Sequence, residues 1–185
     1  SNDEIEPIRK ACLRHLFAFS KTVMGYDDII EELHGEFCRF LEGAESRKQG
    51  TLPRSYVKTW LATISYSIWI SLPRTTPDEF PPSAIRRTPS VAPRFSLSPP
   101  FVSLPGYPDY EVDPFYLIGN NIRILIASYV VGNAMKMINL IRKTYERNQA
   151  LMILFPEVIP ENFTKVKWSD TEACINRTED YTEST

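Results

Sequence analysis

Cysteine, histidine and long apolar runs are all scarce in this chain, and each scarcity closes off a class of answers. The three cysteines, Cys12, Cys38 and Cys174, are odd in number, widely spaced and set among apolar neighbours. They suit neither a disulfide framework nor a zinc site, and they fit a reducing compartment. The two histidines, His15 and His34, stand far apart with no cysteine or acid at co-ligand spacing. Each reads as a helix-surface or partly buried residue rather than a metal ligand. No apolar run is long enough to cross a bilayer, and residues 1–6 are charged and lack the pattern of a secretory signal, so no membrane partner is expected. Charge of one sign is lacking too, since 21 Lys and Arg against 23 Asp and Glu leave a formal charge of −2. Without a global basic field, any DNA contact has to come from a particular face or from neighbouring subunits.

What is present is a chain of 185 residues with ordinary apolar and charged fractions, enough for one sizeable core with appendages. It does not open on Met, as in a processed chain or a piece of a longer one. Two short sequons, at Asn162 and Asn176, match a pattern that arises often by chance. Across residues 8–21, Cys12, Leu13, Leu16, Phe17 and Phe19 recur at spacings that suit one buried helical face. After Gly25, Asp27 or Asp28 can cap a second helix in which Ile29, Ile30, Leu33, Phe37, Phe40 and Leu41 return every three or four residues until Gly43. Residues 59–72 form a mostly apolar run whose β-branched and aromatic content suits a strand but whose length predicts a buried helix, with Trp60 and Trp69 in the core. Between Pro73 and Pro114 lie most of the 15 prolines, which excludes long helices and central strands and predicts an irregular insertion. Its aromatics, among them Phe80, Phe101 and Tyr116, are expected to pin part of it to the body, with residues 85–94 the least ordered. Residues 121–128 carry the continuous Ile and Leu run of a buried parallel strand, a helix follows over 130–149, and 173–177 is a last candidate strand. The alternation reads as α/β.

The chemistry is concentrated in Pro53, Arg54, Ser55, Tyr56, Val57, Lys58 and Thr59, a Lys-Thr pair at a predicted loop-to-helix junction. In a phosphate-binding loop, backbone N–H groups and a helix N-terminus face the phosphates, Lys supplies a point charge and Thr offers a hydroxyl to Mg²⁺. Lys58 and Thr59 stand in that order. The strict pattern also needs two glycines, and Leu52 and Val57 occupy their positions. Asp27, Asp28, Glu31 and Glu32 have the look of paired carboxylates, but on a first helical turn their ordinary role is to complement the dipole.

Taken in order, residues 32–42, 53–69, 123–128, 154–157 and 167–172 resemble the large terminases of tailed bacteriophages, the ATPases that drive DNA into a procapsid, whose loop reads Pro-Arg-Gly-x-x-Lys and then Thr or Ser. Pro53, Arg54, Lys58 and Thr59 keep that frame, and the resemblance covers most of the chain outside the proline-rich segment. It implies a P-loop NTPase-like three-layer α/β sandwich, incomplete at its C-terminal end. An N-terminal helical pair (1–48) would precede a partial ATPase domain (49–185), interrupted by the proline-rich insertion at 73–120. It implies ATP and Mg²⁺ as cofactors, with Ser55, Tyr56, Val57, Lys58 and Thr59 around the phosphates and the Thr59 hydroxyl on the metal. Arg54 would be the catalytic arginine at the γ-phosphate, and Tyr26, in a region where the family holds the adenine, would meet the base. Double-stranded DNA, a portal protein, a small terminase subunit and a homo-oligomeric ring are the implied partners, and the host cytoplasm, where virus assembles, is the implied location.

The chain departs from the family in two places. Ser55 stands where Gly is usual, after a poor strand at 48–51. The Asp that holds Mg²⁺ and the Glu that activates water lie, in the family, beyond a point resembling residues 183–185, as does the nuclease domain. ATP binding with negligible turnover is therefore expected. Two other readings stay open: an assembly module with a vestigial loop, docking through the insertion, and another P-loop NTPase of helicase-like type.

Overall fold

The computed structural model describes residues 2–43, 59–87, 101–119, 122–163, 169 and 171–175. The N-terminal periodicity yields two helices, α1 (Asn2–Arg14) and α2 (Leu16–Thr22), broken at His15, whose backbone is extended at φ −131° and ψ 118°. Helix α1 begins earlier than the apolar spacing indicates and runs through Pro7, whose missing N–H costs only one bond near the exposed start. At the break, the Leu16 N–H donates to the buried Glu42 carboxylate at 2.7 Å, so an acid from another helix closes the start of α2.

A π-wound turn, Glu31–Gly35, leads into α3 (Glu36–Glu42), which ends at Gly43 as its sequence indicates. Its start differs from expectation. Asp27 and Asp28 lie exposed in a preceding turn, and the Ile30 N–H is taken instead by His34 Nδ1 at 3.1 Å. The apolar run after Lys58 is helical, with π-wound Trp60–Ser65 passing into α4 (Tyr66–Ile70). Length therefore outweighs β-branching here, because Leu61, Ile64, Ile68, Trp69 and Leu72 fall on one buried face.

All regular sheet among the described residues lies within the proline-rich segment. Strands β1 (Ile85–Arg87), β2 (Val102–Leu104) and β3 (Tyr107–Val112) pair antiparallel in the order β1-β3-β2. Ile85 faces Val112 and Arg87 faces Tyr110, while the β2 register shifts between Ser103 and Leu104. Pro105 and Gly106 turn β2 into β3, and Gly106 at φ 81° occupies the left-handed position that a Pro-Gly turn requires. Pro108 sits outside the residues paired with β1 and opposite the register shift, where its missing N–H breaks no ladder.

The elements are short, as the prolines dictate, but the segment is no excursion over the surface. Phe80, Ala84, Leu104, Val112 and Tyr116 are buried in the same core as the helices, and the Ser83 and Tyr116 hydroxyls both donate to the Glu42 carbonyl, at 2.7 and 2.8 Å. Ile85–Arg87, expected to be among the least ordered residues, form β1, and residues 88–94 lie outside the described residues.

Arg74 ties this segment to two helix ends. Its buried guanidinium donates to the carbonyls of Leu13 (3.0 and 3.3 Å), Trp69 (3.1 Å) and Leu72 (3.0 Å), and lies over the Trp69 ring at 4.5 Å. Leu13 is in the last turn of α1, and Trp69 and Leu72 are at the end of α4, so the cation meets the negative ends of two helices. Burial still holds its pKa down, to about 10, which leaves it charged at neutral pH.

Downstream the expected strand is absent. Residues 122–128 form neither strand nor helix, and Leu125 is 91% exposed. An apolar strand of this kind is stable only when paired at its edges and covered on both faces, and no described segment pairs with it. Helix α5 (Val131–Arg147) follows as the spacing indicates, and α6 (Gln149–Leu154) continues after Asn148. Asn148 accepts from the Leu151 N–H at 2.8 Å and donates to the Val23 carbonyl at 2.7 Å, capping α6 and tying it to α2. Within the described part of 173–177, only Ala173 makes an isolated bridge. The described fold is therefore a mixture of helices and one small antiparallel sheet.

Candidate nucleotide site

Of the residues assigned to nucleotide, Arg54, Ser55, Tyr56, Val57 and Lys58 lie outside the described residues, whereas Thr59 and Tyr26 lie within them. Thr59 is exposed and already has helical dihedrals, φ −64° and ψ −39°, directly before the π-wound turn. The wide winding of Trp60–Ser65 is a rare geometry that recurs at functional sites.

Tyr26 reaches this place from another part of the chain. Gly25, at φ 68°, turns the backbone after α2, the Tyr26 N–H donates to the Ser20 carbonyl at 3.2 Å, and Lys21 Nζ holds the Ile29 carbonyl at 3.4 Å. The Tyr26 ring then meets the Trp60 ring edge to face, with centroids 5.8 Å apart and planes at 81°. A contact of this type is worth about 0.5–1.5 kcal/mol beyond area burial. The Tyr26 hydroxyl is buried beside that of Ser65 without completing a bond to it, and Ser65 and Ser20 likewise bury hydroxyls without partners. Burial raises the Tyr26 phenol above its ordinary value, and the Ser65 hydroxyl draws it partly back.

No protein-family model, curated protein or solved structure matches the chain. The site therefore rests on its own geometry. Among the described residues, no group of three or more His, Cys, Asp or Glu side chains gathers to hold a metal. His15 Nδ1 lies 3.9 Å from the Glu42 carboxylate, and His34 Nδ1 meets the backbone of Ile30. Cys12 and Cys38 are buried, and burial pushes their thiols up, to about 11 and about 12.

Two features escaped the sequence reading. Trp60, expected in the core, is 44% exposed, although its spacing of four from Ile64 puts it on the apolar face. Tyr26 is the aromatic ring described against it. Arg74 carries no local pattern that marks it as buried. Only the convergence of the ends of α1 and α4 gives it acceptors.

Proposed function

We propose that this chain is the ATP-binding portion of a viral large terminase, the motor that translocates DNA into a procapsid. The observation that carries the reading is the edge-to-face contact of Tyr26 with Trp60, the residue that follows Thr59. Tyr26, which the resemblance assigns to the base, and Thr59, which it assigns to the metal at the phosphates, are thus brought near each other through Trp60. Around the phosphates, Lys58 supplies a point charge, the 55–59 backbone supplies N–H donors, and Arg54 neutralises charge that develops at the γ-phosphate. Thr59 would offer its hydroxyl to Mg²⁺, which would supply positive charge against the phosphates. The P-loop NTPase sandwich belongs to the same proposal. Residues 122–128, apolar and largely exposed, are the stretch that a parallel sheet would bury. Double-stranded DNA, a portal protein, a small terminase subunit and further copies in a ring are its proposed partners, and the host cytoplasm its place of action.

The test is a titration with a non-hydrolysable ATP analogue and Mg²⁺, in parallel with Lys58→Ala. Saturable binding that the substitution abolishes supports the reading. A second reading, an assembly module with a vestigial loop, is favoured by the exposed side chains of Ile124, Leu125, Tyr129, Val130 and Val131. Absence of nucleotide binding up to millimolar concentration would select it.

A further inference from the structure

Helix α3 and the π-wound turn before it carry apolar side chains that the core does not cover. Ile30 and Leu33 are 46% and 48% exposed, and Phe40 also reaches solvent. Phe37 is half-buried against the core, and its ring lies nearly parallel to that of Phe40, with centroids 6.3 Å apart. Leu33, Phe37 and Phe40 recur at spacings of four and three, so they share one helical face, which Ile30 extends at its start. From Ile30 to Phe40 the stripe is about 15 Å long at the rise of a helix, the footprint of about three turns of a second helix.

The border of this stripe is acidic. Asp27, Asp28, Glu31, Glu32 and Glu36 are all exposed, and among the described residues none of them has a basic side chain within ion-pair distance. Glu36 stands three residues after Leu33 and four before Phe40, beside the stripe, and Glu32 stands four before Glu36. Two like charges at that spacing weaken a helix unless opposite charge lies against them. Arg39, the one Lys or Arg between residues 27 and 40, folds back against Gly35, and Lys21 turns its ammonium to the Ile29 carbonyl. Acids at a helix start answer the dipole, but that account leaves the exposed Ile30, Leu33 and Phe40 unexplained. An apolar stripe beside unpaired carboxylates repels nucleic acid and anionic lipid. It complements a helix that is apolar on one face and carries Lys or Arg at the edges of that face. We propose that this face docks a basic, amphipathic helical segment of another protein through Ile30, Leu33, Phe37 and Phe40, with Glu32 and Glu36 setting the charge preference. The inference does not depend on the nucleotide reading.

Fluorescence anisotropy tests it with a synthetic helical peptide of leucine and lysine, its leucines on one face, and with the analogue that carries glutamate for lysine. Circular dichroism checks the folding of each protein. The wild type is expected to bind the lysine peptide saturably, more weakly as salt rises, and to leave the glutamate peptide unbound. Ile30→Ser combined with Leu33→Ser is expected to weaken that binding on the order of tenfold or more. Leu125→Ser, in the other exposed apolar stretch, leaves it unchanged. Glu32→Lys combined with Glu36→Lys reverses the preference, releasing the lysine peptide and taking up the glutamate one, a result that does not rely on the apolar variants folding. A wild type that binds neither peptide at high micromolar concentration, or binds both equally, would overturn the proposal. A loss in Leu125→Ser rather than in the Ile30 and Leu33 variant would do the same. So would a wild type that self-associates in sedimentation and becomes monomeric in that variant, since a second copy would then be the occupant.

Discussion

Replacing Arg74 with Met keeps a long unbranched side chain but removes every bond that the guanidinium makes. The carbonyls of Leu13 and Leu72 then lose their donor in a buried place, whereas that of Trp69 keeps the Leu72 N–H at 3.3 Å. Each buried acceptor left unsatisfied costs about 1–3 kcal/mol, and the contact with the Trp69 ring adds up to about 2 kcal/mol. Against this stands the relief of no longer burying a charge, several kcal/mol by the general scale of such penalties. The lowered pKa of Arg74 says that this relief is substantial. The net expectation is a loss of about 1–3 kcal/mol. Urea unfolding measures it as a lower midpoint at unchanged slope. Arg74→Lys should fall between, because one ammonium cannot serve three carbonyls in the geometry of a planar fork. An Arg74→Met variant with wild-type stability would refute the idea that this cation joins α1 to α4.

The remaining expectations draw on other parts of the fold. Under native conditions at mildly alkaline pH, a thiol reagent should label Cys174, which is partly exposed, and reach Cys12 and Cys38 only after denaturation; peptide mapping checks this. Asp78 is held below its usual carboxylate range, chiefly by its bond to Lys10 and then by Thr76. Its contribution to stability is therefore present above the unfolded value of about 3.9 and lost as pH falls through the lower folded value. Asp78→Asn should cost a little stability at pH 7 and nothing near pH 2, as read by thermal melts across that range. Deleting residues 75–103 should unfold the chain, because the excised stretch carries Phe80, Ala84 and two strands that border β3. A cooperative melt that survives the deletion would show that the helices hold the core alone.

Helix positions were legible in the sequence wherever apolar residues recurred over three turns, as in α5, and in residues 59–72, where length decided against a strand. Helix starts were less so. The cap at Ile30 comes from His34, and the bond at Leu16 comes from Glu42, a partner that no local pattern reveals. The proline-rich segment was legible as a place without long elements, since Pro removes donors and fixes φ. Its part in the core was not, because that depends on Arg74, Phe80 and Tyr116 meeting helices distant in sequence. Residues 122–128 show the opposite failure. Their composition marks a buried strand, but a strand exists only with a partner, and the pattern does not say where one is. At the candidate site, Lys58, Thr59 and Tyr26 were singled out in the sequence, and what the fold adds is an exposed Trp60 after Thr59 with the Tyr26 ring against it.

We propose that residues 54–59 hold the phosphates of a nucleotide. Titration of the chain with a non-hydrolysable ATP analogue and Mg²⁺, repeated on Lys58→Ala, addresses it most directly. The account predicts saturable binding below millimolar concentration in the wild type and none in the variant. Equal behaviour of the two proteins, whether both bind or neither does, would contradict it.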